Sequence, residues 1–287
     1  MPEFKADYHC HTSVSDGSLS PAELIDLAVK HEITHLAITD HDTTGGYSEA
    51  LPFATEKGIQ LISGTEISCL WQGHTIHVVG LEMDVNNPTL QYGLKLNRVK
   101  RWVRAFEIDA KAEKKFGSLL VDILPKIKDG MIGRNHFAQE MIARGLVKDQ
   151  GKAFDKYLKQ GRSLYVGVDW PELSKIVSWI TGAGGIAVMA HPHIYKMSAN
   201  KLNSMLAEFK EAGGQGIEVV NQPKVCSDQI GMADRAKRLG LYASQGSDFH
   251  RPEHTWRGLG WLAPMPKGID PIWNHFKDPL NRPVKAL

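Results

Sequence analysis

Five short segments of the chain combine imidazole and carboxylate side chains: Asp7-Tyr8-His9-Cys10-His11, Thr39-Asp40-His41-Asp42, Gly64-Thr65-Glu66, Ala190-His191-Pro192-His193 and Ser247-Asp248-Phe249-His250. Each begins or finishes at an expected strand end. These donors hold divalent metals, so the segments, gathered by a fold, would make a metal centre and with it a metal-dependent hydrolase. His9 and His11 lie at i and i+2, which projects both rings from one face of a strand, while Cys10 points the opposite way into packing. Taken alone, a His-x-His pair fits a structural or surface role as readily. Asp16 in the Gly-containing loop that follows, His41 ending the second strand, Glu66 ending the third, and His191, Asp248 and His250 ending later ones set this pair apart.

Positioning such residues requires an α/β body. Phe4 to His9, Leu36 to Ile38, Ile59 to Ile62 and Thr75 to Leu81 read as buried strands. Ser20-Pro21-Ala22-Glu23 is an N-cap with Pro at N1 and Glu at N3, opening a helix to about His31. Strand signals vanish from about Asn87 to Gly161, where helices over Thr89 to Phe116 and Asn135 to Arg144 are expected. Alternation then returns: helices over Trp170 to Thr181, Ala199 to Ala212 and Asp228 to Leu239, and strands over Gly185 to Ala190, Gly216 to Val220 and Leu241 to Ser247. The expected organisation is a body of residues 1–86 and 162–287 interrupted by a helical insertion, 87–161, with the Pro-rich tail after Leu262 wrapped over the surface. In a closed parallel barrel the C-terminal strand ends converge on one face, so distant motifs meet.

Composition excludes several classes. The 287 residues carry a formal charge of +2, too little for strong nonspecific attraction to nucleic acid, so any polyanion site is local. Three separated cysteines, Cys10, Cys69 and Cys226, without a CxxC, fit reduced thiols better than a disulfide framework. No apolar run reaches transmembrane length, and the start Pro2-Glu3-Phe4-Lys5 lacks a signal-peptide core, which makes the cytoplasm the default. Gly182-Ala183-Gly184-Gly185 precedes a strand and lacks the Lys-Ser/Thr of a phosphate loop. There is no Gly-x-Ser-x-Gly elbow and no cysteine in an activating setting.

Asp7-x-His9-x-His11, Thr39-Asp40-His41-Asp42, Ala190-His191-Pro192 and Ser247-Asp248-x-His250 resemble, in order, the four motifs of the PHP (polymerase and histidinol phosphatase) superfamily. The resemblance implies a distorted (β/α)7 barrel with a helical insertion and a metal cluster that hydrolyses phosphoesters. The insertion, the Gly133-Arg134-Asn135-His136-Phe137 segment and the length are most similar to the nucleoside 3′,5′-bisphosphate phosphatases, a group that includes the 5′ to 3′ exoribonuclease ribonuclease AM. Carried over by motif, His9, His11, Glu66 and Asp248 would hold a first metal. Glu66 would bridge to a second held by His77 and His191, and Asp16, His41 and His250 would hold a third. Many family members have His where this chain has Asp16. The mixed donor set suits Mn²⁺, with Fe²⁺ or Zn²⁺ also compatible. A metal-bound water would be the nucleophile.

Around that cluster, His193 is placed to act as general acid or phosphate donor, or else lies outside the chemistry. Alternation in His74 to Gly80 allows either His74 or His77 to be a mere strand-face residue, and the family pattern favours His77. His31, His35 and His275 read as structural or surface residues. Arg134, just before a helix start, is assigned to the phosphate that is not cleaved, with His136 a weaker candidate; an ordinary helix-start arginine is the alternative. Arg257 is a further phosphate contact, and Asp42 could orient a ligand or bond a ribose hydroxyl. Lys95, Arg98, Lys100, Arg101, Arg104, Lys111, Lys114 and Lys115, with Trp102 and Phe106 between, could track a single strand. The favoured alternative is an amphipathic helix burying Leu94, Trp102 and Phe106 beneath a solvated charged face. Expected partners are a nucleotide or short RNA substrate, with no membrane and no obligate protein partner. The rival functions are a histidinol-phosphate-type phosphatase and a noncatalytic metal-binding PHP module.

Overall fold

The computed structural model describes residues 3–127, 131–254 and 257–282. Strands β1 (Ala6–Cys10), β2 (His35–Ile38) and β3 (Gln60–Ile62) form a parallel sheet joined by helices α1 (Pro21–Lys30) and α2 (Gly45–Lys57). The Ser20 capping box forms as its sequence dictates: Glu23 N–H donates to Ser20 Oγ at 3.3 Å, and Ser20 N–H donates to Glu23 Oε2 at 2.8 Å.

After β3 the chain departs from simple alternation. Glu66 does not end the third strand; it lies inside β4 (Gly64–Trp71), which pairs antiparallel with β5 (His74–Leu81) and faces Val79. Gln72 and Gly73, both with positive φ, make the tight turn between them. The near-continuous burial of β4 hid it, because Glu66, Ser68 and Cys69 break the apolar run by which buried strands are recognised.

The helical stretch follows as α3 (Pro88–Phe116), α4 (Leu120–Ile123), α5 (Arg134–Ala143) and α6 (Gln150–Ala153), and no strand occurs among the described residues of 87–161. Helix α7 (Leu173–Gly182) then leads to β6 (Ile186–Met189), α8 (Ala199–Glu211), β7 (Gly216–Val220), α9 (Ser227–Leu239) and β8 (Tyr242–Gln245). The second sheet runs β4-β5-β6-β7-β8, antiparallel at its first two pairings and parallel thereafter. The protein is thus an α/β fold with one parallel and one mixed sheet, and its ladders do not trace one closed ring.

Main-chain hydrogen bonds stitch the sheets together where the motifs lie. His11 N–H donates to Phe249 O at 2.8 Å on one side, and Asp42 N–H donates to Glu66 O at 2.9 Å on the other. Both sheets also turn side chains into one interior, where Ala6, Tyr8, Ala37, Ile62, Val79 and Val188 pack together. Ile272 and Phe276, both fully buried, join that cluster. The tail therefore fills an interior end instead of merely wrapping the surface. Its apolar side chains, spaced among prolines, were masked by loop composition.

Residues from α3 to Val166 share a separate apolar cluster that includes Ile108, Leu120, Phe137 and Met141. On α3, neither sequence alternative holds in full. Leu94 is buried, but so are Arg101 and Arg104, whereas Phe106 is 58 % exposed. Among the described residues, no helix is long and apolar enough to cross a membrane.

Candidate metal centre and arginine cleft

All nine candidate ligands converge. β1 carries His9, and His11 follows directly past its end, with both rings on the interior face, while Cys10 turns outward to donate its thiol to Ala37 O. Glu66 sits at the middle: Oε1 lies 2.9 Å from His77 Nδ1 and 2.8 Å from His191 Nε2. Its Oε2 lies 2.9 Å from His41 Nδ1, 3.4 Å from His11 Nε2 and 3.5 Å from His9 Nε2. Asp248 Oδ1 is 3.3 Å from His11 Nε2 and 3.7 Å from His9 Nε2. Asp16 Oδ1 approaches His250 Nε2 at 3.4 Å, and its Oδ2 approaches His41 Nε2 at 3.9 Å.

Three groups within this set are compact enough to hold an ion: His9, His11 and Glu66; His41, Glu66 and His77; and His11, Asp16, His41 and His250. Glu66 Oε2 and His41 Nδ1 are buried and, despite their closeness, make no hydrogen bond, which leaves donor lone pairs facing one another. Such orphaned atoms are costly unless a cation lies between them, and the donor set fits a divalent metal. His191 and Asp248 hold their places with positive φ, a strained backbone of the kind that clusters at functional sites.

Electrostatics keep the carboxylates ionised. Burial would raise Asp16, Glu66 and Asp248, but the surrounding imidazoles, led by His250 for Asp16 and Asp248 and by His77 for Glu66, hold all three well below their usual range. Burial would lower His250, yet Asp16 and Asp248 push it up to about 9. Desolvation dominates at His41, which falls to about 4 despite Glu66 and Asp16.

Glu218 was not anticipated. It is buried in β7, accepts at 2.5 Å from His9 Nδ1 and at 2.6 Å from the His191 N–H, and is itself held by Asn221. It thereby presents His9 Nε2 to the cluster. A lone acid within the apolar run Gly216-Ile217-Glu218-Val219-Val220 was the available signal. Asp40, also buried, accepts from Thr12 N–H, Thr12 Oγ1 and Ser15 Oγ and so shapes the loop that delivers Asp16.

The other candidates separate. Arg134, at the first position of α5, lines a cleft of about 550 Å³ together with Asp16, His41, His77, Arg101, Arg104 and Trp170. Arg104 makes no hydrogen bond or ion pair among the described residues; it is 7 % exposed and its guanidinium lies 5.4 Å from the Trp170 ring. Burial, and then the nearby charges of Arg101 and Arg134, pull its pKa well down. Such a crowded cationic pocket is relieved by an anion.

His136 is turned elsewhere. Its Nδ1 accepts from Gly133 N–H at 3.0 Å, and its ring lines a different hollow beside Ser13 and Lys126. Asp42 cannot serve as drawn from the sequence: it is fully buried, and its carboxylate is taken up by Ser68 N–H, Asn97 Nδ2 and Arg101 Nε, at 3.0, 2.8 and 2.6 Å. Arg257 pairs with Asp248, so it bears on a candidate ligand. His193 lies beside Asn221 on the other flank, and burial lowers its pKa. His31, His35 and His275 bond Leu259 O, Leu280 O and Asp270 outside the centre.

A buried His, Asp and Glu cluster at the junction of a parallel and a mixed sheet, beside a helical segment, defines a metal-dependent phosphoesterase of the PHP class. The chain belongs to that family: the profile for the PHP domain matches residues 7–159. Along nearly its whole length it is similar to the 3′,5′-nucleoside bisphosphate phosphatase of Chromobacterium violaceum, at 41 % identity over 280 residues covering 97 % of this chain and 98 % of the relative. It is also similar to the 5′-3′ exoribonuclease Rnm of Escherichia coli, at 35 % identity over 284 residues covering 98 % and 97 %. Among solved structures, an amidohydrolase from C. violaceum with bound sulfate superposes with a TM-score of 0.89 at 40 % identity, covering 95 % of this chain and 96 % of that one.

Proposed function

We propose that this chain hydrolyses the 3′-phosphate of nucleoside 3′,5′-bisphosphates and, by the same bond cleavage, removes nucleotides 5′ to 3′ from short RNA or RNA 5′ ends. The observation that carries this reading is the opening of the Arg104 and Arg134 cleft onto Asp16, His41 and His77. A terminal phosphate gripped by two guanidiniums leaves the next ester along the substrate at the carboxylate and imidazole cluster. In RNA the 3′-phosphate is the bond to the following nucleotide, so one site serves both reactions. Full-length relatives named for each activity support this.

His9, His11, Glu66 and Asp248 are assigned to one ion, Glu66, His77 and His191 to a second, and Asp16, His41 and His250 to a third, with Mn²⁺ preferred and Fe²⁺ or Zn²⁺ compatible. Ions held there would neutralise phosphate oxygens and make water acidic enough to attack phosphorus near neutral pH. Arg134 combines its guanidinium with the free N–H groups at the start of α5 to hold the uncleaved phosphate. His193 is the candidate for protonating the leaving oxygen, and Arg257 positions Asp248. Residues 87–161 act as a cap over a distorted barrel built from 1–86 and 162–287. A cytoplasmic setting and a nucleotide or RNA substrate, with no protein partner needed for the chemistry, complete the reading.

A histidinol-phosphate phosphatase would need an acidic pocket for an amine, and the cleft instead presents Arg101, Arg104 and Arg134. A noncatalytic module would have no use for a complete set of candidate ligands. The test is a turnover panel for the metal-loaded protein: adenosine 3′,5′-bisphosphate, 5′-phosphorylated and 5′-hydroxyl RNA oligomers, DNA oligomers and histidinol phosphate. Preference for the bisphosphate and 5′-phosphorylated RNA is expected; faster hydrolysis of histidinol phosphate would overturn the assignment.

A further inference from the structure

The first turn of α5 reaches the metal centre with a side chain that lies outside every ligand motif. Asn135 Nδ2 donates to Asp16 Oδ2 at 2.5 Å, and Asn135 Oδ1 accepts from Gln150 Nε2 at 3.0 Å. Gln150 opens α6, where the Asp149 carboxylate caps the helix by accepting from Lys152 N–H at 2.8 Å. Gln150 therefore has a fixed base. Its donation to the Asn135 oxygen settles which way that amide faces, because the nitrogen is left to point at Asp16.

Asp16 needs such a clamp more than the other candidates do. It lies in the loop after β1, outside any strand or helix, and an aspartate carboxylate turns broadly about its last torsion. With Oδ2 tied to Asn135, Oδ1 faces His250 Nε2 at 3.4 Å and His11 Nδ1 at 3.9 Å, two of the donors grouped with it around one ion position. Among the described residues, Asn135 bonds no other candidate ligand. We infer that Asn135, braced by Gln150, is the positioning residue that aims Asp16 at the third ion. The inference rests on the three-ion reading above and makes that one position depend on the helical stretch after β5. Arg134, the preceding residue, enters the arginine cleft, so a single helical turn serves both the uncleaved phosphate and an ion.

The experiment is calorimetric titration of the chelator-stripped full-length protein with Mn²⁺, with circular dichroism as a check on folding and steady-state kinetics on adenosine 3′,5′-bisphosphate. The wild type should take up three ions. Asn135→Ala should keep two at wild-type affinity and bind the third about 10- to 100-fold more weakly, as expected when a ligand loses the partner that orients it. Its kcat should fall while KM holds, because the Arg134 grip is intact. Gln150→Ala, which leaves the Asn135 amide in place but free to turn, should weaken the same ion by less. Unchanged affinity for the third ion in Asn135→Ala would overturn the inference and leave the three-ion reading standing. Equal weakening of all three ions would make Asn135 a general brace, and a raised KM with unchanged metal affinity would make it a substrate contact; either overturns the positioning role. A wild type that binds fewer than three ions would overturn both the inference and the reading beneath it.

Discussion

A side chain's role follows from what its polar atoms have left to bond. Arg101 and Arg104 lie three residues apart on one helix; the first is neutralised by Asp42, while the second faces the cleft with only Trp170 beneath it. Arg104→Ala and Arg134→Ala should therefore each lower kcat/KM on 5′-phosphorylated substrates by about 10- to 100-fold, the worth of a charge-assisted contact, with far less effect on 5′-hydroxyl RNA. Steady-state kinetics on the paired substrates check this, and equal losses on both would remove the phosphate role. Glu218→Ala should weaken metal uptake by about 10- to 100-fold while the fold survives, because His9 loses the partner that orients its ring. Direct metal titration reads that change, and wild-type affinity in the variant would contradict it. At this scale the candidate ligands stood out where His and Asp cluster at an expected strand end, as in His9-Cys10-His11, Asp40-His41-Asp42 and Asp248-Phe249-His250, whereas Glu66 and Asp16 stand without a titratable neighbour and followed from the motif order. Glu218 did not, being a single acid in an apolar strand. Asp42 misled for the opposite reason: it adjoins His41 in the chain, but its positive φ turns its carboxylate away, toward α3.

Among the elements, α3 ties the helical stretch that follows β5 to the sheets. Its inner face contributes Asn97 and Arg101 to the buried Asp42 carboxylate and Ser68, at the strand that also carries Glu66. Removing one partner leaves an uncompensated buried charge, so Asp42→Ala or Arg101→Ala should cost about 3–5 kcal/mol, and the double variant should cost less than the sum. Chemical denaturation of the four proteins tests this, and additive losses below about 1 kcal/mol would mean that the pair holds nothing together. Most elements were readable from period and caps, including the helix opened by Ser20 and the β6-to-β8 half. The antiparallel β4 was not, since its functional residues interrupt the apolar pattern. The orientation of α3 was unreadable too: two arginines buried among its apolar inner residues, and apolar side chains left exposed, blur the usual amphipathic cue, because part of the inner face answers an acid and the cleft instead of a core.

For the whole molecule, the two sheets meet where the candidate ligands lie, so metal and fold are linked. The His11 to Phe249 and Asp42 to Glu66 main-chain bonds close the gaps between sheets beside ten buried or half-buried titratable groups, the nine candidate ligands and Glu218. An ion bound at about a thousand times its dissociation constant adds about 4 kcal/mol, so chelation should lower Tm by about 10 °C in a chain of this size. An unchanged melting curve would uncouple the cluster from stability. The convergence of motifs was legible because the order of strands and helices places strand ends on one face. The split into two sheets and the reversal of β5 were not, since a reversed strand delivers His77 as well as a parallel one would. The most direct measurement of the central claim is anomalous X-ray scattering at the manganese edge from crystals of the Mn²⁺-loaded protein. Three peaks are predicted, one beside His9, His11 and Asp248, one beside His77 and His191, and one among Asp16, His41 and His250. Density without any anomalous peak among those side chains would contradict it.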